Sequence, residues 1–174
     1  MSYSATKVIQ YSIYENVNGV NKYVEDTRSY KRPDIETLTD SFKGAGIMGE
    51  IDMPTLGQLA AMEIELGLNR ANKRATKLFA PGSHKIEARW AMNALNKATG
   101  SSTVVPYKEI LTVLPKNLSL GDIEGNEANE VSMTFEVLAY EYIANGISLI
   151  KIDKLNQVFI VDGKDYSAKI REAL

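Results

Sequence analysis

The run VSMTFEVLAYEYIANGISLIKID, Val131 to Asp153, limits what this chain can fold into more than any other stretch. Asn145-Gly146 separates two β-rich segments. A two-residue turn of that kind needs left-handed backbone at both positions, which Asn and Gly tolerate, and its twist matches that of two antiparallel strands. With VVPYKEILTVL (Val104 to Leu114) ahead of the loop GDIEGNEANE, the segment predicts three strands.

Similar signals recur elsewhere. VIQYSIY (residues 8–14) and VNKYV (residues 20–24) flank Asn16, Asn18 and Gly19, which reads as an opening hairpin. LNQVFIVDGKDYSAKIREAL turns at Asp162-Gly163 and continues as a charged tail, so residues 162–174 form a terminal hairpin strand and tail. RPDIETLTDSFKGAGIMGEIDMPTLG (Arg32 to Gly57) reads as a long, mostly polar hairpin over residues 34–53. Its apolar residues are too sparse to bury both faces, so it extends from the core and packs on something else. LAAMEIELGL (Leu59 to Leu68) continues as a core strand. Residues 70–80 form the one clear short helix, stopped by Pro81 and Gly82. His84 to Gly100 is ambiguous: propensity favours helix, yet Ile86, Ala88, Trp90, Met92 and Ala94 alternate as in a strand.

Composition then removes whole classes of function. The chain has 174 residues, 44% of them hydrophobic, enough for the core of a single domain over residues 1–174. Its net charge of -2 lacks the basic excess of a nucleic-acid binder. There is no cysteine, which excludes disulfides, thiolate zinc sites and cysteine nucleophiles. No apolar run reaches the roughly 18 residues of a membrane span, and the N-terminus lacks a signal-peptide pattern; the expectation is a soluble, cytosolic product.

GAGIMG, Gly44 to Gly49, fits the G-x-G-x-x-G pattern of a dinucleotide loop. That fingerprint needs a buried apolar strand before it and a helix opening through its last glycine, whereas polar TLTDSFK precedes it and Pro54 follows closely. Glycines serving a hairpin tip explain the run better, and no cofactor is expected. His84, the single histidine, has no G-x-S-x-G companion, so it reads as a solvated or capping residue and the protein as no enzyme. Asp122, Glu124, Glu127 and Glu130 invite a calcium reading, but a calcium loop starting at Asp122 needs Gly where Glu127 stands and an acid where Met133 stands. No metal is expected there. Gly163-Lys164 lacks the rest of a phosphate loop. Arg70, Lys73, Arg74 and Lys77 recur at helical spacing and form one charged face, either solvated or docked on an acidic partner.

The order of these motifs resembles the major tail tube proteins of contractile-tailed bacteriophages, the P2-like family. The resemblance rests on PDIETLTDSFKGAGIMGEIDMPTLGQLAAMEIEL (Pro33 to Leu66), on PKNLSLGDIE (Pro115 to Glu124) and on ISLIKIDKLNQVFIVDGKDYSAKIREAL (Ile147 to Leu174). It implies a mainly β fold: a β-sandwich or half-barrel with one short flanking helix and a long protruding hairpin, whose strands join those of neighbours into a ring barrel. His84 to Asn96 is then a strand.

The resemblance further implies a structural role. Hexameric rings of the protein stack into a hollow tube inside a contractile sheath, and double-stranded DNA passes through without specific binding; assembly takes place in the host bacterial cytoplasm. Its partners are then further copies of itself, the sheath, tape-measure, baseplate and tail-terminator proteins. Phe42, Gly44, Ala45, Gly46, Ile47, Met48 and Gly49 become the assembly tip of the hairpin, with Phe42, Ile47 and Met48 as anchors. A mildly acidic or neutral lumen would let DNA slide. The tube of a phage-derived bacteriocin, or of a type VI-like system, has the same implied shape. A β-barrel binding a small ligand is the competing class, and bound nucleotide in a small oligomer would distinguish it.

Overall fold

The structure, a computed structural model, describes residues 3–174; Met1 and Ser2 lie outside the described residues. In chain order the strands are β1 (Tyr3–Val17), β2 (Val20–Tyr23), β3 (Thr27–Lys31), β4 (Thr37–Phe42), β5 (Ile51–Leu59) and β6 (Glu63–Leu68). Helix α1 (Lys73–Leu78) is followed by β7 (His84–Asn96), β8 (Ser102–Ser119), β9 (Val131–Ala144), β10 (Ile147–Asp153), β11 (Val158–Val161), β12 (Lys164–Asp165) and helix α2 (Ala168–Ala173). The mainly β expectation holds, and the ambiguous His84–Asn96 segment is a strand. Its alternation places Ile86, Ala88 and Ala94 in the buried interior, which overrides helix propensity. The charged tail folds into a second short helix, Ala168–Ala173, where one helix was expected. The expected strand Leu59–Leu68 is divided, because the chain leaves β5 at Leu59 and starts a new pairing at Glu63.

All three short hairpin turns take the left-handed conformation their residues allow. The φ pairs are 51° and 81° at Asn18-Gly19, 49° and 81° at Asn145-Gly146, and 49° and 77° at Asp162-Gly163. Ten strands form one antiparallel sheet in the order β12-β11-β10-β9-β8-β7-β1-β2, with β6 pairing the first half of β9 and β3 pairing β6. The sheet branches along β9, where a register shift separates Val137 from Ala139 opposite β8. Before the shift β9 lies against β6, and after it against β10.

The path β3-β6-β9-β8-β7-β1 curls around the core as an open half-barrel. Alternate side chains point inward: Ile13 on β1; Ile64, Leu66 and Leu68 on β6; Ile86 on β7; Leu111 and Val113 on β8; Val131, Met133, Phe135 and Val137 on β9. Leu78 and Ala75 of α1 close one end. Burial of such side chains is the main favourable term in the fold, at about 1.5–3 kcal/mol each. The barrel does not close between β1 and β3. Across that seam the Tyr11 hydroxyl donates a hydrogen bond to the Thr27 carbonyl oxygen at 3.4 Å.

Candidate functional site

Among the described residues the hairpin of β4 and β5 pairs with no other strand and forms its own two-stranded sheet. Every residue of β4 is exposed, as is β5 up to Gln58. A two-stranded ribbon of this kind is at best marginally stable in water by itself. Its cross-strand pairs include Phe42 with Ile51, Ser41 with Asp52 and Asp40 with Met53. Alternation therefore gathers Leu38, Phe42, Ile51 and Met53 on one side of the ribbon together with Asp40, all of them exposed. The arm is longer than the sequence indicates: its return strand runs to Leu59 rather than stopping at Met53.

Gly44 to Gly49 makes the tip, followed by a strand. Ile47 N–H donates to the Gly44 carbonyl oxygen at 3.1 Å, and Gly46, at φ 86°, occupies the position of that turn where a side chain is strained. A Cβ on Gly46 would meet nothing within 4 Å, so backbone conformation and not close packing accounts for this glycine within the protomer. Ala45 lies in the same turn, Ile47 is half-buried, Gly49 also has positive φ, and Met48 is fully exposed. Lys43 and Glu50 form an ion pair across the tip at 2.8 Å.

At its base the arm is held firmly. Ala60 N–H donates to the Glu36 carbonyl oxygen at 2.8 Å. Gly57, with φ 72°, lies so close to α2 that a Cβ would stand 2.6 Å from Ile170 Cδ1. Gly57 to Leu59 line a cleft with Ile152, Phe159 and Ser167. On the other leg, Arg32 precedes Pro33 and reaches inward to Glu109. Its Nε donates to Glu109 Oε1 at 2.6 Å, and the Tyr30 and Tyr140 hydroxyls donate to the same carboxylate at 2.7 and 2.6 Å.

Glu109 is fully buried, whereas the Arg32 side chain is 48% exposed. Burial opposes the Arg32 charge, but the hydrogen bond and attraction of Glu109 outweigh it and raise its pKa above the ordinary arginine value. Burial, and then the Glu109 charge, push the Tyr30 phenol far up; burial followed by the hydrogen bond to Glu109 does the same at Tyr140. The Arg32 guanidinium lies 5.0 Å from the Trp90 ring centroid and 4.8 Å from that of Tyr142, while Trp90 stacks on Tyr107 at 5.6 Å. Sequence reasoning missed this cluster, although Glu109 lies in register with Tyr107, Leu111 and Val113 in the alternation of β8, a signal for an inward carboxylate.

The four basic residues read as one helix face are split by the structure. Arg70 precedes α1 and pairs with Asp26, Nε to Oδ2 2.6 Å; Arg74 turns inward to the buried Glu15, Nη1 to Oε2 3.0 Å. Lys73 and Lys77 remain on the exposed side. Asn72 caps the helix, its Oδ1 accepting from the Arg74 and Ala75 amides at 3.0 and 2.9 Å. The Arg70 hydrogen bond, followed by that of Asn72, lowers the Asp26 pKa. Of the two readings of His84, solvated or capping, the structure departs from the first, and one of its contacts is to a carbonyl just past the end of α1. The ring nitrogens contact Glu15 Oε1 at 3.3 Å and the Ala80 carbonyl oxygen at 2.9 Å.

The sheet also leaves backbone edges open. β1 pairs with β2 only over Tyr14–Val17, so its outer edge from Ser4 to Ser12 has no strand beside it among the described residues. On β8, Ser102 to Val105 pair with β7 alone among the described residues. Such edges are templates for another strand. No group of His, Asp or Glu suited to holding a metal occurs among the described residues, and no helix there is long and apolar enough to cross a membrane.

Comparison with known proteins gives the arm and the open edges a context. No curated protein sequence is similar enough to count as a relative. Among solved structures, the fold is similar to a chain of the PVC sheath-tube complex of an extracellular contractile injection system, in its extended state (TM-score 0.54, 12% identity, covering 78% of this chain and 88% of that one). It is also similar to a chain of the PVC sheath/tube terminator (TM-score 0.51, 13% identity, 80% and 95% covered) and to one of the anti-feeding prophage baseplate (TM-score 0.52, 11% identity, 84% and 100% covered). At those identities the likeness establishes a shared fold. The sequence pattern of the family described as phage tail tube protein FII matches residues 6–174, nearly the whole of it, and the chain belongs to that family.

Proposed function

We propose that this tail tube subunit works by closing into rings through its open sheet edges, hexameric as in the tubes it resembles, and that the rings stack into a hollow tube. The observation that carries the reading is the unpartnered β4–β5 arm on a half-barrel with open strand edges, in a chain of the phage tail tube family. Each protomer has one arm and one open β1 edge, so a head-to-tail interface can close on itself and remove the edges that would otherwise aggregate. The tip residues Phe42, Ile47 and Met48 serve as anchors on a neighbouring copy.

The tube lies within a contractile sheath and ends at a baseplate and a terminator, as the similar solved chains of sheath-tube, terminator and baseplate assemblies support. Double-stranded DNA passes through its lumen, a tape-measure protein sets its length, and the subunits are assembled in the host bacterial cytoplasm. The work is mechanical and not catalytic. Lys73 and Lys77 of α1, with Arg70 beside them, present the exposed basic surface to an acidic partner.

Negative-stain electron microscopy of the concentrated protein tests the reading, paired with a variant lacking Asp40 to Gly49. Rings or tubes from the intact chain, and soluble folded protomers without tubes from the deletion, are the expected result. Undiminished tube growth by the deletion variant would remove the arm from assembly. Small particles retaining a nucleotide would overturn the tube reading altogether.

A further inference from the structure

The open edge of β1 has the composition of a strand-pairing template. VIQYSIY, residues 8–14, holds no charged residue, no Pro and no Gly, and Val8 and Ile9 are each 52% exposed. A straight, uncovered strand of that composition recruits strands from other chains.

β1 is not straight where it is uncovered. Opposite β7 the paired positions run Ala5 with Ala94, Lys7 with Asn93, Val8 with Met92 and Gln10 with Ala91, so Thr6 and Ile9 are each an extra residue on β1. Each makes a β-bulge, which leaves one residue out of the ladder, bends the strand and increases its local twist. The first bulge is fastened by its own side chain: Thr6 Oγ1 donates to the Asn93 carbonyl oxygen at 3.1 Å and accepts from Asn93 Nδ2 at 3.2 Å. Exposed Lys7 stands between the two bulges. From Gln10 to Asn16 the register with β7 runs on without a shift, and β2 covers Tyr14–Val17. Both irregularities therefore fall within the stretch that has no strand on its outer side.

We infer that the bulges at Thr6 and Ile9, with Lys7 between them, guard the open edge of β1, so that free subunits stay discrete instead of joining edge to edge through it. An incoming regular strand forms the alternating hydrogen bonds of an antiparallel ladder only along a regular edge, and two bends this close together interrupt that row twice. A strand laid there also covers the Lys7 ammonium group. The second open edge needs no such device, since Ser102 to Val105 is short and ends at Pro106, which has no N–H to donate. The guard acts in the free subunit whether or not that subunit later enters a ring, and so goes beyond the tube reading.

Deleting Thr6 and Ile9 together makes the register regular while every remaining residue keeps its β7 partner. Light scattering and thioflavin T fluorescence of the dilute, full-length protein follow association, with circular dichroism and a thermal melt as checks of the fold. The double deletion is expected to associate on the order of tenfold faster than the parent, and each single deletion at an intermediate rate. Gln10→Lys added to the double deletion is expected to slow association again, because it returns a charge to the straightened edge, an effect that simple destabilisation would not give. Folded deletion variants that associate no faster than the parent would overturn the inference. So would deletions that unfold the chain, since the bulges would then serve the half-barrel and not its edge. An effect of Lys7→Thr as large as that of the double deletion would place the guard in the charge alone and overturn the role of the bulges. Electron microscopy of the parent keeps the two readings apart: rings from the parent beside unchanged variants leave the tube reading standing, whereas rapid association of the variants with no rings from the parent removes the tube reading and keeps the guard.

Discussion

Arg32 Nε stands 2.6 Å from Oε1 of Glu109, so the half-exposed residue that begins the arm is tied to the one fully buried carboxylate of the half-barrel. The Tyr30 and Tyr140 hydroxyls complete the hydrogen bonding of that carboxylate. Arm direction and core integrity therefore share one polar cluster.

Arg32→Ala leaves Glu109 buried with only neutral donors. Removing one partner of a fully buried pair costs about 3–5 kcal/mol, and water reaching the exposed half of the site reduces this to about 2–3 kcal/mol. Urea unfolding at neutral pH should show the loss. The isosteric Glu109→Gln with Arg32 retained should cost less, because the amide oxygen still accepts from the tyrosines.

Alkaline sensitivity follows from the same cluster. Burial first, then Glu109, raises both phenols above the ordinary tyrosine value of 10.0. A group whose folded pKa is raised contributes stability that is intact below the unfolded value and lost as pH rises through the folded one. The midpoint of urea unfolding should thus hold up to about pH 10 and fall beyond it. Tyr30→Phe with Tyr140→Phe should be weaker at neutral pH, since Glu109 loses two donors, yet show a flatter alkaline limb.

Two residues of the basic cluster should behave oppositely. Arg74→Ala deprives the buried Glu15 of its arginine and leaves it His84, a loss on the order of 1–3 kcal/mol. Lys77→Ala touches an exposed side chain and should change stability by less than about 0.5 kcal/mol. Thermal melts of the two variants check the ranking, and equal losses would contradict the inward role of Arg74.

Two of the arm glycines, Gly46 and Gly57, should separate assembly from folding. Gly57→Val drives a branched side chain into Ile170 at a left-handed backbone position, so it should lower the melting temperature and loosen α2. Gly46→Val meets no neighbour and strains only the tip turn, so it should impair ring and tube formation more than the stability of the isolated protomer. Electron microscopy beside thermal melts of both variants reads the difference, and the reverse ranking would assign Gly46 to the core.

Local sequence carried the parts of this protein that short-range chemistry decides. Asn18-Gly19, Asn145-Gly146 and Asp162-Gly163 specified three hairpins because few residues accept two successive left-handed positions. Alternation on β8 and β9 specified which side chains point inward, since successive residues of a strand face opposite ways. The solvent-facing arm was legible from its shortage of apolar residues and its glycine tip.

What needed the tertiary structure depends on partners distant in the chain. His84–Asn96 became a strand because β1 and β8 offered pairing on both sides, which outweighed propensity. Arg70 and Arg74 left the shared helix face because Asp26 and Glu15 were brought within reach, an attraction that helical spacing cannot reveal. Glu109 found Arg32, 77 residues away, and the seam between β1 and β3 opened beside them. The sequence by itself determined the strands, their turns and the polar arm, because steric limits and side-chain alternation act over a few residues. Only the tertiary structure decided the half-barrel, its buried charge cluster and the open seam, because electrostatic pairing and shape depend on surfaces that exist once distant strands have met.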